Sequence, residues 1–549
     1  MLPANTCTDN LTVKISDDFI EGLQEDLIAR RMANGTSCLR AQQAAIEMLN
    51  PNRENSARLL GILALWVEAL SSDPIFVREL LSRFPDNPRN FSVFDYFYLR
   101  VAQSLVDMAN ENFDLAIGRL EITNALEGQE IFAPLVVISN YWIGKCHRRM
   151  GRYDDALRHT VKARELSLQL GHEKMAAVIR ILESWLIFKK GKPKEATRML
   201  GEAETILLGT DDHVSLGNIH FAYARITRRE RRYDSSVVHF TAAIDEFRQC
   251  ISPPSDLARS LTNLALVKQF IALQLQHKLD HEVARRRRGH EHVAGRVARM
   301  SIEHLREEAQ AHLAEAQEIY EQRNDNHGCG IVHLSRGQVY LNSGEFDRAE
   351  VEAEEVYRLG RNKNNYILMA RARVLASMVE NAKFEEQMEE SDPCQHARLA
   401  SQLVHEAGEW ALRTPNRRVL AKTLVAKSLI LSNDFFKDTE AARECAERAA
   451  VLLGPAGSDY LWQDLQALRE RVHCARRIDS TLRDWSHGQV GNKSFQQIAE
   501  EFAGIVIPKV WKLEDRNISR VAARLSISPK KVHRILLQKG LLKTRSPVH

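Results

Sequence analysis

The sequence predicts an all-α protein, a long stack of helical hairpins closed by a small helix-turn-helix unit. Three observations carry this. A short phrase recurs at 40-residue spacing through the middle of the chain. Pro is scarce, at 15 of 549 residues, so long helices are permitted, and no stretch has the period-two alternation of a strand. The stretch Asn517 to Leu541 reads as two short helices around a tight turn.

Residues 16 to 90 read as helices. Asp73-Pro74 starts one of them, and Leu59, Leu60, Leu63, Trp66 and Leu70 make the apolar face of another. Residues 1–95 are assigned as an N-terminal helical cap. The opening MLPANTCTDNLTVKISDDF has no basic start followed by an apolar core, so it is not a secretory signal.

The repeated phrase is Gly-x-aromatic-x-x-Ala. It stands as Gly151-Arg152-Tyr153-Asp154-Asp155-Ala156. Weaker copies run from Glu111 to Ala116 with Phe113, from Gly191 to Ala196 with Pro193 in the aromatic slot, and from Arg231 to Ser236 with Tyr233. Seven residues beyond the Ala slot come Ala163, Ala203 and Ala243. Gly344 to Ala349 with Phe346 is the best-formed copy. Upstream of it, Gly337 and Tyr340 supply the small residue and the aromatic that a preceding helix needs, and Ala309 and Ala316 lie 40 residues before Ala349 and Val356. Small residues let two helices approach closely, and the aromatic wedges under the next helix. This pattern resembles the tetratricopeptide repeat, with a unit of 40 residues in place of the family's roughly 34. The stretched unit is similar to those of large bacterial activators that carry a sensor solenoid. The resemblance runs from about residue 95 to 455, within a solenoid assigned to residues 96–480. It implies a binding scaffold with a protein, peptide or small ligand in its groove. A helical solenoid of another family is the structural alternative.

Between Asp256 and Asn324 the register loosens into long helical patterns around the run Arg285-Arg286-Arg287-Arg288-Gly289-His290. That run reads as a solvated loop or helix face in preference to a phosphate contact or a hinge at Gly289. The acidic stretch Lys383 to Pro393 reads as an exposed connector. Turn residues in Asp484 to Lys493 mark the end of the solenoid.

The C-terminal unit, residues 492–545, follows from local chemistry. Ser519 can cap a first helix with Val521, Ala522 and Leu525 inward, and small Ala522 and Ala523 allow close packing. Ser526 makes the bend and Ile527 buries it. Ser528 caps a second helix that opens on Pro529. Val532, Ile535 and Leu536 face inward, leaving Lys530, Lys531, His533, Arg534 and Gln538 outside. The segment resembles the Fis-type helix-turn-helix of bacterial enhancer-binding activators at Asn517, Ile518, Ser519, Ala522, Leu525, Ile527, Ser528, Val532 and Arg534, over about 50 residues. The resemblance implies that the second helix lies in the DNA major groove. Lys530, Lys531, His533 and Arg534 would then read bases or phosphates, Arg520 and Arg524 would hold the backbone, and the helix N-terminus at Ser528 would take a phosphate. Two positions depart from the family. Ser526 replaces its turn Gly. Pro508 should break or kink the preceding helix, whose apolar residues are Phe495, Ile498, Phe502 and Ile505, which puts Fis-like pairing of two subunits in question.

Charge agrees with a nucleic-acid partner. From Lys509 onward there are 11 Lys and Arg against 2 acidic residues, leaving 65 basic against 70 acidic residues in the rest. A basic tail on a mildly acidic body is the footprint of phosphate binding. The eight cysteines are scattered with no C-x-x-C pair and read as reduced core thiols of a cytoplasmic protein. No phosphate-binding glycine loop, zinc-protease motif or nucleophile elbow is present; Gly144-Lys145-Cys146 and Gly191-Lys192-Pro193 are fragments only, and His290-Glu291-His292 has its two rings splayed on a helix. The expectation is a non-enzymatic DNA-binding transcriptional regulator without cofactor, metal or membrane span, binding double-stranded DNA as two copies per site. The alternative is a protein-interaction scaffold whose terminal helices cap the solenoid.

Overall fold

The computed structural model describes residues 15–85, 91–126, 128–250, 252–285, 293–386, 393–454, isolated positions between 461 and 485, and 491–542 apart from 540. The Arg286–His290 part of the basic run, positions 387–392 of the acidic connector and most of the stretch from Asp484 to Lys493 lie outside them. Among the described residues there is no strand.

Five helices form an N-terminal group: α1 (Asp17–Ala29), α2 (Met32–Ala41), α3 (Gln43–Glu47), α4 (Ser56–Ala69) and α5 (Ile75–Leu81). Hairpins follow in which each helix packs on its successor. The first four pair α6 (Val93–Ala109) with α7 (Phe113–Asn124), α8 (Ala133–Met150) with α9 (Tyr153–Gln169), α10 (Glu173–Lys189) with α11 (Pro193–Leu207), and α12 (His213–Arg229) with α13 (Tyr233–Arg248). The next four pair α14 (Ser255–Arg285) with α15 (Val293–Gln322), α16 (Asn326–Asn342) with α17 (Phe346–Asn362), α18 (Tyr366–Glu386) with α19 (Pro393–Leu412), and α20 (Arg417–Leu431) with α21 (Thr439–Leu453). The C-terminal unit is α22 (Phe495–Leu513), α23 (Ile518–Leu525) and α24 (Pro529–Gln538).

The 40-residue echo marks one structural position. Phe113, Tyr153, Pro193, Tyr233 and Phe346 each begin the second helix of a hairpin. Two residues earlier the chain turns through the left-handed region, at Gly151 (φ 81°), Gly191 (φ 85°) and Gly344 (φ 76°). This turn lets Arg152 N–H donate to the His147 carbonyl at 2.9 Å, and Glu345 N–H to the Tyr340 carbonyl at 2.9 Å, which satisfies the end of the first helix. Where the phrase has Glu111 or Arg231 in place of Gly, the conformation persists at φ 63° and 60°, with the strain of a β-carbon in that region. The Ala slot is fully buried at Ala116, Ala156, Ala196 and Ala349, and Ser236 fills it by donating its hydroxyl to the Ala224 carbonyl at 2.8 Å. Helices approach so closely there that a β-carbon on Gly144 would stand 2.5 Å from Thr160 Oγ1 and one on Gly337 2.6 Å from Leu375 Cδ2. The loosened register between Asp256 and Asn324 is the longest hairpin, α14 and α15, of 31 and 30 residues.

The N-terminal group does more than end the stack. Its α4 is buried from Leu59 to Trp66 against α6 and α1. Beyond that it reaches several hairpins along the chain. Arg30 Nε donates to Asp212 Oδ2 at 2.6 Å, with both side chains buried. The Asp211 carboxylate accepts from Met32 N–H at 2.8 Å and Ala33 N–H at 2.6 Å, capping α2 from the loop before α12. Ser71 Oγ donates to Asp256 Oδ2 at 3.3 Å, and Arg323 Nη1 donates to the Ser71 carbonyl at 3.1 Å. These contacts roof over the faces that α8, α10, α12 and α14 turn toward the group.

Candidate functional site

The C-terminal unit is built as the sequence requires, with local corrections. Asn517 caps α23, accepting from Arg520 N–H at 3.1 Å; Ser519, expected as the cap, lies inside the helix because Asn517 already provides the side-chain oxygen two residues earlier. Ser526 ends α23 in the left-handed conformation at φ 53°. Ser528 caps α24, accepting from Lys531 N–H at 3.3 Å, with Pro529 next. Val521, Ala522, Val532, Ile535 and Leu536 are buried with Ile507 and Trp511 of α22 in a core of the unit's own. Ala522 makes the close approach, while Ala523 is exposed. Pro508 does not break α22, which continues to Leu513. The residue whose carbonyl faces the proline ring is Gly504, and Ile507 and Trp511 anchor the helix on both sides of it. The buried stripe of α22 therefore runs through Gly504, Ile507 and Trp511. Of the expected apolar face, Phe495 (86 %) and Phe502 (49 %) stand exposed and Ile498 and Ile505 are half-buried.

Lys530, Lys531, His533, Arg534 and Gln538 all face solvent on one side of α24, and Arg520, Arg524 and Ser528 are exposed beside them. Three of these cations carry ion pairs inside the unit. Arg534 Nη2 meets Glu500 Oε1 at 2.8 Å, Arg520 meets Asp515 at 3.5 Å, and Arg524 meets Glu514. Exposed pairs of this kind contribute about 0–1 kcal/mol and exchange readily for a stronger anion.

A second site was not foreseen from the sequence. Under the N-terminal group lies a cavity of about 330 Å³, lined by residues of α1, α4, α8, α10, α12 and α14. Its apolar wall includes Leu65, Trp142, Met175 and Leu182. Its polar wall carries Arg30, Lys145, Arg148, Arg149, Arg225 and Arg259 against Glu68 and Asp256 only. Three of the cations have carboxylate partners: Arg30 has the buried Asp212, and the part-exposed Lys145 and Arg259 have Glu68 and Asp256, the latter at 2.7 Å. Arg149 is paired at its outer end with Glu111 at 3.1 Å. Arg148 and Arg225 have no carboxylate within ion-pair distance among the described residues. Their guanidinium carbons instead stand 5.3 Å and 5.8 Å from the Trp185 ring centre, and Arg225 also 5.7 Å from Phe221, a cation–π arrangement.

The electrostatics follow from enclosure. These side chains keep some surface open to the cavity, yet protein surrounds them and the charged forms lose hydration. Burial, then the neighbouring Arg259 and Arg149, push Arg148 down to about 10. Burial, then Arg228, Arg259 and Arg148, push Arg225 down to about 9. Both remain cations at neutral pH. Burial and then Arg148 push Lys145 down to about 7, whereas Asp256 favours its charged form. Asp256 is held below the usual carboxylate range: its burial opposes this, but Arg259 and Lys145 outweigh it.

The described cysteines lie apart from one another as free thiols, with Cys146, Cys329 and Cys445 buried. Burial pushes Cys146 up to about 12 and Cys250 and Cys329 to about 11, the opposite of an activated nucleophile. No helix among the described residues is long and apolar enough to cross a membrane.

Stacked helical hairpins with a short three-helix unit after them define the class: an all-α solenoid of tetratricopeptide-like architecture. No protein-family model matches the chain, and no curated protein matches it. Among solved structures it is similar to apo NprR, a quorum sensor from B. thuringiensis, at 13% identity and a TM-score of 0.46 over 70% of this chain and 97% of that one. It is similar to human IFIT1, as a dimer with m7Gppp-AAAA, at 14% identity and a TM-score of 0.42 over 79% and 95%. It is also similar to a Rap protein complexed with Competence and Sporulation Factor, at 11% identity and a TM-score of 0.38 over 78% and 98%.

Proposed function

We propose that this protein is a DNA-binding transcriptional regulator of the cytoplasm, without enzymatic activity, whose solenoid senses a ligand and whose C-terminal unit reads double-stranded DNA. The observation that carries this reading is the solvent-facing basic side of α24, from Lys530 to Arg534, on a capped helix at the end of a tight turn. A helix in that position fits a major groove with its first turn nearest the bases. Lys530, Lys531, His533 and Arg534 are the base- and phosphate-contacting residues in this reading, Arg520 and Arg524 hold the DNA backbone, and the Ser528 end of α24 receives a phosphate. The unit's resemblance to Fis-type domains, at Asn517, Ile518, Ala522, Ile527, Ser528 and Arg534, supports the same assignment. One α24 offers few base contacts, so useful specificity requires two copies on one site. The exposed Phe495 and Phe502 of α22 are the surface we assign to pairing the two units.

The competing reading makes the chain an interaction scaffold whose last helices cap the solenoid. It expects Lys530 to Arg534 to be packed away, and their exposure weighs against it. The test is selection of duplexes from a random pool, using the intact protein and its K530A/K531A/R534A variant. An enriched motif that the variant loses supports the regulator. Retention of all duplexes alike overturns it in favour of the scaffold.

A further inference from the structure

The cavity under the N-terminal group has an imbalance that the protein does not resolve within itself. Its carboxylates are already engaged, Glu68 by Lys145 and Asp256 by Arg259. Two guanidinium groups, Arg148 and Arg225, are held near each other beside the Trp185 ring, with no carboxylate at ion-pair distance among the described residues. Burying unpaired charge is costly, and a fold keeps such charges together where a ligand neutralises them.

Hydrogen bonding points the same way. Three buried polar atoms of the lining have no protein partner: Arg148 Nε, Arg259 Nε and Trp185 Nε1. All three are N–H donors, and no equally buried side-chain acceptor of the lining is unpartnered beside them. A wall that offers donors and positive charge asks for a compact acceptor with negative charge. A phosphate monoester carries a charge of about −1.5 to −2 and three strong acceptor oxygens. That charge matches the two uncompensated guanidinium groups. Guanidinium forks also fit tetrahedral phosphate better than an ammonium does. A dicarboxylate separates its two charges and meets the cluster with one end only.

Volume sets the size of the rest. At about 330 Å³ the cavity is at the lower end of small-molecule sites, roughly 300–1,000 Å³. The wall of Leu65, Trp142, Met175 and Leu182 accommodates an apolar or flat body attached to the phosphate. The site lies beneath α1 and α4 and opens part-way to solvent, and its volume suits a small molecule. We propose that this cavity binds a small phosphate monoester, with Arg148, Arg225 and Arg259 around the phosphate. This deepens the ligand-sensing half of the proposed function and rests on that half.

The experiment is calorimetric titration of the full-length protein with phenyl phosphate, succinate and a short phosphoserine peptide, at neutral pH and moderate salt. Phenyl phosphate should bind, and Arg225→Gln should weaken it about 10- to 100-fold, the loss of one charge-assisted contact. The same substitution should leave the melting temperature of the unliganded protein unchanged or higher, because it removes repulsion. A merely structural arginine would lower it. Arg148→Gln is the second variant and should behave alike. K530A/K531A/R534A should bind phenyl phosphate as the unaltered chain does. Absence of phenyl phosphate binding, succinate binding as tight, a phosphopeptide binding tighter, or unchanged affinity in both arginine variants would each overturn the assignment. Phosphate binding by a chain that selects no duplex sinks the DNA reading and leaves this one standing; duplex selection without phosphate binding does the reverse.

Discussion

Arg534 of α24 donates through Nη2 to Glu500 Oε1 of α22 at 2.8 Å, both side chains more than half exposed. A cation of the proposed DNA-reading face is thus tethered to the helix behind it. An exposed pair contributes about 0–1 kcal/mol, while a bidentate arginine–guanine contact is worth about 1–3 kcal/mol. Under the proposed DNA reading the base contact outweighs this pair, and Glu500 competes with DNA for Arg534. Glu500→Gln should tighten specific binding about two- to fivefold, and Arg534→Ala should weaken it by about 1–3 kcal/mol. Gel-shift titration of the selected duplex checks both. A Glu500→Gln variant that binds no better than the starting protein would remove Arg534 from the contact surface.

Ser526 supports a second prediction. It holds φ 53° at the end of α23, a conformation in which its β-carbon is strained. Glycine takes this position without that strain, at some entropic cost in the unfolded chain. Ser526→Gly should stabilise the C-terminal unit by about 0.5–1 kcal/mol. The measurement is native-state hydrogen exchange of the amides in α23 and α24, which should slow by about two- to fivefold. Faster exchange would mean that the serine side chain supports the turn in some other way.

The parts of the fold legible in the sequence are those set by short-range chemistry. Tyr153, Pro193 and Tyr233 lie at a fixed spacing because each begins the same kind of helix, and Ala156 and Ala196 because each is fully buried one turn into it. Ser526 and Ser528 were legible because a turn and a cap act over three residues. The face of α22 was not. That helix carries two apolar stripes, one through Phe495 and Phe502 and one through Ile507 and Trp511, and only packing against Val532 and Leu536 decides between them. The cavity was hidden for another reason. Lys145, Trp185 and Arg225 occupy one slot on successive hairpins, 40 residues apart, as do Tyr141, Ile181 and Phe221. The spacing is that of the repeat, but the residue types differ, so no phrase recurs. What makes the slot a site is the N-terminal group laid over it, and Asp211 caps α2 from 179 residues away.

The bond that secures that roof is Arg30 to Asp212, 2.6 Å apart with side chains 4% and 0% exposed. Asp212 also caps α12 by accepting from Ser215 N–H at 3.0 Å. Removing one partner of a buried pair leaves the other charge without compensation, at a cost of about 3–5 kcal/mol, and the lost cap adds about 1 kcal/mol. Asp212→Ala should lower stability by several kcal/mol, read as a fall in the urea midpoint. It should also raise protease sensitivity first within residues 15–85, since α1 and α2 lose their hold on α12. A variant that melts like the starting protein would show that the N-terminal group is fixed by its apolar core alone.

Lys145 sits where two opposing influences can be separated by pH. Burial and Arg148 depress it to about 7, against an ordinary lysine value of 10.5, while Asp256 favours the charged form and Glu68 is its ion-pair partner. With the folded value below the unfolded one, the unfolded chain binds more protons between about pH 7 and 10.5. Stability from this group therefore rises with pH through that window, and below it the charged ammonium is a cost to the fold. Lys145→Met removes the titration. The urea midpoint of the starting protein, relative to that of the variant, should be higher near pH 9 than near pH 6.5. If the difference between the two proteins stays flat, Glu68 keeps Lys145 charged throughout, and the cavity carries one more permanent cation for its ligand to meet.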